Sequence, residues 1–282
     1  MTTPPFTTPA DASARPPRPF SLRTYLWIVF ALSWPPQIAY ALWGNDPTRG
    51  YLLSSLSMVM VTVGTFIAGR WVFRDGFQNM GWRWGKPRHY GAVFALALFI
   101  FGAPVLIENL LGLHSLPETF SVGGLLGSFL TSFVLTLIPG FGEEFGWRAY
   151  LLPRLAQRHS PRKALLIHAF IWWAWHIPAL VKIGWQAQGG QGSPWLSVAV
   201  TLLVSLLPAM MNAVLFAYVW AASGSLAVAS VYHSAYDEVR DALDRGIGFG
   251  PLVSIWEMAA TLLFGAALLW KADWPRLLRK NG

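Results

Sequence analysis

The chain contains no cysteine. Disulfides, thiolate metal ligands and a cysteine nucleophile are thereby excluded, and the redox compartment is left undecided. Charge is also scarce: Asp, Glu, Lys and Arg make up 12% of the 282 residues, against about 25% in an average soluble domain. The helical HExxH zinc signature, a GxSxG nucleophile turn, a Walker-type phosphate loop and a glycine-rich dinucleotide fingerprint are all missing. No internal repeat or inverted pair of interrupted hydrophobic segments stands out, which speaks against a transporter built on such repeats.

What the chain has instead is apolar length. Hydrophobic residues are 54% of the total, with sixteen Trp and eighteen Phe, and the mean hydropathy is +0.44. Aromatic rings in such number suit bilayer interfaces and lipid-facing helices. The expected fold is all-α, a polytopic membrane bundle of about eight transmembrane helices, since a span takes roughly 20 apolar residues. The candidate spans are roughly 22 to 43, 51 to 73, 90 to 111, 122 to 152, 163 to 183, 196 to 222, 225 to 240 and 251 to 271. Pro139-Gly140 predicts a kink in the fourth or a tilted continuation buried in protein.

The net charge of +8 is spread over short loops rather than gathered on one face, so it reads as a topology signal and not as a nucleic-acid surface. Arg and Lys cluster in the N-terminal tail, after the second span (Arg70 to Arg88), after the fourth (Arg154 to Lys163) and at the C-terminus. The intervening connections, which hold Asp46 with Arg49, Glu108 and Glu118, Lys182, and Glu238 to Arg245, show no such excess. That alternation places both termini in the cytoplasm. The proline- and arginine-rich ends suit a prokaryote, and hence its inner membrane. No cleavable signal peptide is expected, because the first apolar run starts near Tyr25 and is long enough to span. The chain divides into a disordered tail (1–19), N-terminal membrane helices (20–119), a core (120–242), and a last span with a basic tail (243–282). Gln186 to Ser193, rich in Gln and Gly, suits an external loop.

Ionisable residues inside such segments are expensive and mark functional interiors. Glu143 and Glu144 precede Arg148 in the fourth span. Glu144 and Arg148 stand at i and i+4 and can neutralise one another, while adjacent helical residues diverge by about 100°. Glu143 is therefore the carboxylate free to handle a proton. The alternative is a pair of structural glutamates sealing a helix crossing. His176 follows Trp172 by one turn, about 20 Å into the fifth span at ~1.5 Å per residue, where it is either a packing residue or a base. His233 and Asp237 share one face of the seventh, as an oriented imidazole or as a plain salt bridge. His168 and Glu257 read as structural. A metal would need ligands from three spans, such as Glu143, His176 and His233.

In this order and spacing, these residues resemble the CPBP family of intramembrane proteases, also called the Abi or type II CAAX prenyl endopeptidase family. Glu143, Glu144 and Arg148 match its EExxxR motif. Trp172 and His176 match its aromatic-xxx-His motif, where phenylalanine is more usual, and His233 and Asp237 match its His-xxx-Asn/Asp motif. Gly224-Ser225-Leu226 resembles the turn before the last motif, and the likeness covers about residues 120 to 242. It implies an endopeptidase acting on a membrane-associated peptide or protein, prenylated or of the bacteriocin type, with the bilayer as its other partner and no nucleic acid. Glu143 and His176 would activate water, and His233 with Asp237 would stabilise the oxyanion. An ionised Asp237 would repel that oxyanion, so it must be protonated or serve to orient His233. The resemblance leaves the cofactor open, a divalent metal such as zinc or none. The rival is a non-proteolytic transporter, or an immunity or scaffold protein that keeps the fold.

Overall fold

The computed structural model describes residues 16–187 and 193–279. Most of the expected N-terminal tail and of the Gln186 to Ser193 loop therefore lies outside the described residues. All regular secondary structure among the described residues is helical. In chain order the helices are α1 (Leu22–Trp43), α2 (Pro47–Val72), α3 (Pro87–Leu110), α4 (Val122–Ala156), α5 (Pro161–Trp175), α6 (Ile177–Ala187), α7 (Pro194–Ser223), α8 (Leu226–Gly246), α9 (Pro251–Lys271) and α10 (Trp274–Arg279). Their starts are written locally. Ser21, Asp46, Ser121 and Ser225 each accept a backbone N–H from three residues on, and proline opens α2, α3, α5, α7 and α9.

The protein is a helical membrane bundle. Helices α2, α3, α4, α7 and α9 are long and apolar enough to cross, with mean hydropathies of 1.8 to 2.3, and α5 with α6 would make a sixth crossing bent by 55°. The expected count of eight is thus not reproduced by length and composition. Segments α1 and α8 coincide with expected spans but are not among these: α1 is interrupted by Pro35, Pro36 and Gln37, and α8 carries Glu238, Arg240, Asp241, Asp244 and Arg245. Packed among α3, α4 and α7, α8 meets protein rather than lipid along most of its inner face. The outward faces of α4 (Leu126, Leu130, Val134, Ile138) and α7 (Leu196, Val200, Leu203, Leu207) are exposed and apolar, as lipid contact requires.

Two backbone irregularities position the polar residues of the interior. Helix α4 runs through Pro139 without breaking and, six residues on, widens into a π-helical segment at Phe145–Leu151 whose residues are all buried. Tyr25 and Thr62 donate hydroxyls to the Gly146 and Gly142 carbonyls, at 2.9 and 3.1 Å, so these main-chain oxygens have partners away from water. A Cβ on Gly142 would lie 2.8 Å from the Met58 carbonyl oxygen of α2, and one on Gly140 only 3.0 Å from Ser234 Oγ of α8. Helix α4 is therefore clasped between α2 and α8 with no room for side chains there.

The second irregularity corrects the expected continuous span 163–183. Helix α5 ends at His176 and α6 leaves at 55°, because Pro178 has no N–H to give to the Ala174 carbonyl and its ring crowds that turn. Helix α1 fixes the break: Trp34 Nε1 donates to the Trp175 carbonyl (3.1 Å) and Trp175 Nε1 to Ser33 Oγ (2.8 Å). Glu108 and Lys182, near the ends of the expected spans 90 to 111 and 163 to 183, are helical. Glu108 of α3 is fully buried and accepts the Gly250 and Leu252 N–H groups, capping α9. Lys182 of α6 donates to the Tyr40 carbonyl.

Candidate active site

The turn into α8 begins at Gly224, whose φ of 63° is left-handed and favours glycine. Ser225 caps the helix and its hydroxyl donates to the Arg83 carbonyl, while Leu226 N–H donates to Gly81 O at 2.8 Å. This anchoring sets the rotation of α8, and with it the direction of His233. Opposite stands Gly140, whose Cβ would come 3.4 Å from the His233 Cβ. The missing side chain lets the two helices approach closely enough for His233 to reach the glutamates.

Glu144, fully buried, receives Arg148 Nη1 and His233 Nδ1 on the same oxygen, both at 2.9 Å. The Arg148 guanidinium lies between the Trp172 and Phe216 rings, 4.9 and 4.8 Å from their centroids, whose π faces attract the cation where water is excluded. His233 Nε2 lies 3.4 Å from Asp237 Oδ2, and Asp237 Oδ1 meets Arg240 Nη1 at 3.2 Å. Both imidazole nitrogens thus face carboxylate oxygens. Ionised acids only accept, so the pair is satisfied by an imidazolium with two N–H groups. Asp237 thus stands between His233 and Arg240, in contact with both.

Glu143 points the other way, as the divergence of neighbouring helical residues predicts. It is 2% exposed, and one oxygen accepts Trp172 Nε1 at 2.9 Å. The other makes no hydrogen bond among the described residues. His176 Nδ1 lies 2.8 Å from the Trp172 carbonyl; donating there, it leaves Nε2 as a lone-pair acceptor. Trp172 therefore positions both groups, through its indole N–H and its carbonyl. The aromatic motif points to a ring and is silent about the N–H donor that tryptophan has and phenylalanine lacks.

Glu143, His176, His233 and Asp237 line one cavity of about 820 Å³, while Glu144 and Arg148 lie behind its wall. His168 is buried elsewhere and does not line it. Glu257, read as structural, accepts the Tyr236 hydroxyl at 3.2 Å and also lines the cavity. Gln37, Asn212 and Thr261 line the cavity too, on helices that carry no motif, as does Glu238 beside the last motif on α8. A structural zinc takes four protein ligands and a catalytic one three. The donor set here does not fit: His233 has no free nitrogen, which leaves one Glu143 oxygen and His176 Nε2, two donors where three are needed. Among the described residues no other three His, Asp or Glu side chains gather to replace them.

The fold defines an integral membrane protein in which carboxylates and imidazoles from several helices line one cavity. Residues 125–239, which contain all seven motif residues, match the family model for type II CAAX prenyl endopeptidase Rce1-like proteins, a family of proteases. No curated protein matches the chain.

Proposed function

We propose that the protein is an intramembrane endopeptidase that hydrolyses a peptide bond of a membrane-associated substrate, with water activated by Glu143 and His176. The observation that supports this most is the convergence of Glu143, His176 and His233 on one cavity from α4, the α5–α6 break and α8. A water held between the free Glu143 oxygen and His176 Nε2 loses a proton to Glu143 as its oxygen attacks the scissile carbonyl. The oxyanion forms beside the cationic His233, in a setting of low dielectric where fixed charge acts strongly. Glu143 returns the proton to the departing amine, so that an acid and an amine leave and the site is restored.

Asp237 acts through His233 and does not touch the oxyanion. Glu144 and Arg148 hold His233 in place from behind. Counted with α1 and α8, the helices make eight crossings and put both basic ends on the cytoplasmic face of a prokaryotic inner membrane.

The test is cleavage of a farnesylated CAAX peptide and of a broad library of membrane peptides by the purified protein in liposomes. Cleavage by the wild type, its loss in Glu143→Ala and His176→Ala, and its survival after chelation are expected. A wild type that cuts nothing, with variants that alter only solute or ion flux, overturns the proposal in favour of a transporter.

A further inference from the structure

The cavity wall carries polar groups for which the proposed hydrolysis has no use. Gln37 of α1, Asn212 of α7 and Thr261 of α9 line it, exposed by 3, 8 and 3%. Each has a buried side-chain oxygen with no hydrogen-bond partner. Buried polar atoms are nearly always paired, and one left unpaired is destabilising. A fourth such oxygen on the wall, Glu238 Oε2, has Arg245 as an ion-pair partner at 3.6 Å, which leaves three neutral orphans from three helices around a single cavity. Asn212 stands one helical turn before Phe216, whose ring lies 5.3 Å edge-on from His233 and 4.8 Å from the Arg148 guanidinium. The orphan groups thus share the chamber with the acid–base cluster.

A substrate segment must be extended to present its peptide bond. Extension strips its main-chain N–H and C=O groups of their helical partners, and within a bilayer no water replaces them. We propose that Gln37, Asn212 and Thr261 form a main-chain docking set that hydrogen-bonds the unwound polypeptide on either side of the scissile bond. Two amides and a hydroxyl suit this role, because each both donates and accepts and can pair with either main-chain group. None of them carries charge, so the set reads backbone rather than side chain.

The inference rests on the peptidase reading, and binding separates the two. In a Glu143→Gln background, which retains an acceptor for Trp172, the probe is a fluorescent farnesylated CAAX peptide, alongside versions N-methylated at single main-chain nitrogens. Asn212→Leu, Thr261→Val and Gln37→Leu each weaken binding of the parent peptide by about fivefold, the equivalent of one hydrogen bond. At least one N-methylated peptide binds less well to the parent protein but equally well to the matching variant. Thermal stability is unchanged or higher in all three variants, since each loses an unpaired buried group. If the wild type cleaves the peptide and the three variants bind it normally, the docking set is refuted and the peptidase reading stands. If each variant is less stable, the residues are structural and the inference fails. If the wild type neither cleaves nor binds, both readings fall together.

Discussion

Glu143 and Glu144 are neighbours in sequence, yet their replacement by glutamine is expected to fail in opposite ways. Glu144 is fully buried and is the shared acceptor of Arg148 and His233, both at 2.9 Å. Glu144→Gln leaves two cations facing a neutral amide away from water. Removing one partner of a buried ion pair costs about 3–5 kcal/mol, a large part of the ~5–15 kcal/mol that holds a domain folded. At about 2–4 °C per kcal/mol for a chain of roughly this size, the midpoint of thermal unfolding falls by roughly 6–20 °C. Glu143→Gln keeps an acceptor for Trp172 and relieves a buried charge, so its midpoint stays near that of the wild type. Its activity falls about 10²–10⁴-fold, the usual loss on removing a general base. The assay is thermal unfolding in detergent beside cleavage of the farnesylated peptide. A Glu143→Gln protein that unfolds early, or a Glu144→Gln protein as stable as the parent, would refute the division of roles.

Trp172→Phe keeps a ring against Arg148 but deletes the N–H that holds Glu143; kcat is expected to drop about 10-fold, as for other supporting hydrogen bonds, with stability nearly unchanged. Gly140→Val forces a side chain against Ser234 and His233, at an overpacking cost of about 1–3 kcal/mol, and activity is lost as α4 and α8 separate. Glu108→Ala uncaps α9 and lowers stability by about 1–2 kcal/mol, while the turnover of the folded fraction is unaltered because Glu108 does not line the cavity; reduced turnover would show that α9 is coupled to the site.

Much of the site was legible because its residues are chemically out of place. Carboxylates and imidazoles stand out in apolar sequence, and helical geometry alone separated Glu143 from Glu144 and joined His233 to Asp237. Caps were equally local: Ser21, Asp46, Ser121 and Ser225 announce helix starts through their own side chains. Span counting was less secure, since a hydropathy window assumes lipid on every side. Helix α8 is polar because protein surrounds it, and α5–α6 is bent because Pro178 and the hold of α1 on Trp175 end the helix at His176.

By itself, then, the sequence determined the helical membrane class, the motif residues and the divergence of the two glutamates, all of which depend on composition or on one helix's period. Only the tertiary structure decided that His233 bridges Glu144 and Asp237, that Trp172 ties Glu143 to His176, and that Glu257, Gln37, Asn212 and Thr261 face the same cavity. Those relations join α1, α4, α5, α7, α8 and α9. They depend on how closely glycines such as Gly140 let helices approach, a distance set by packing between segments far apart in the chain.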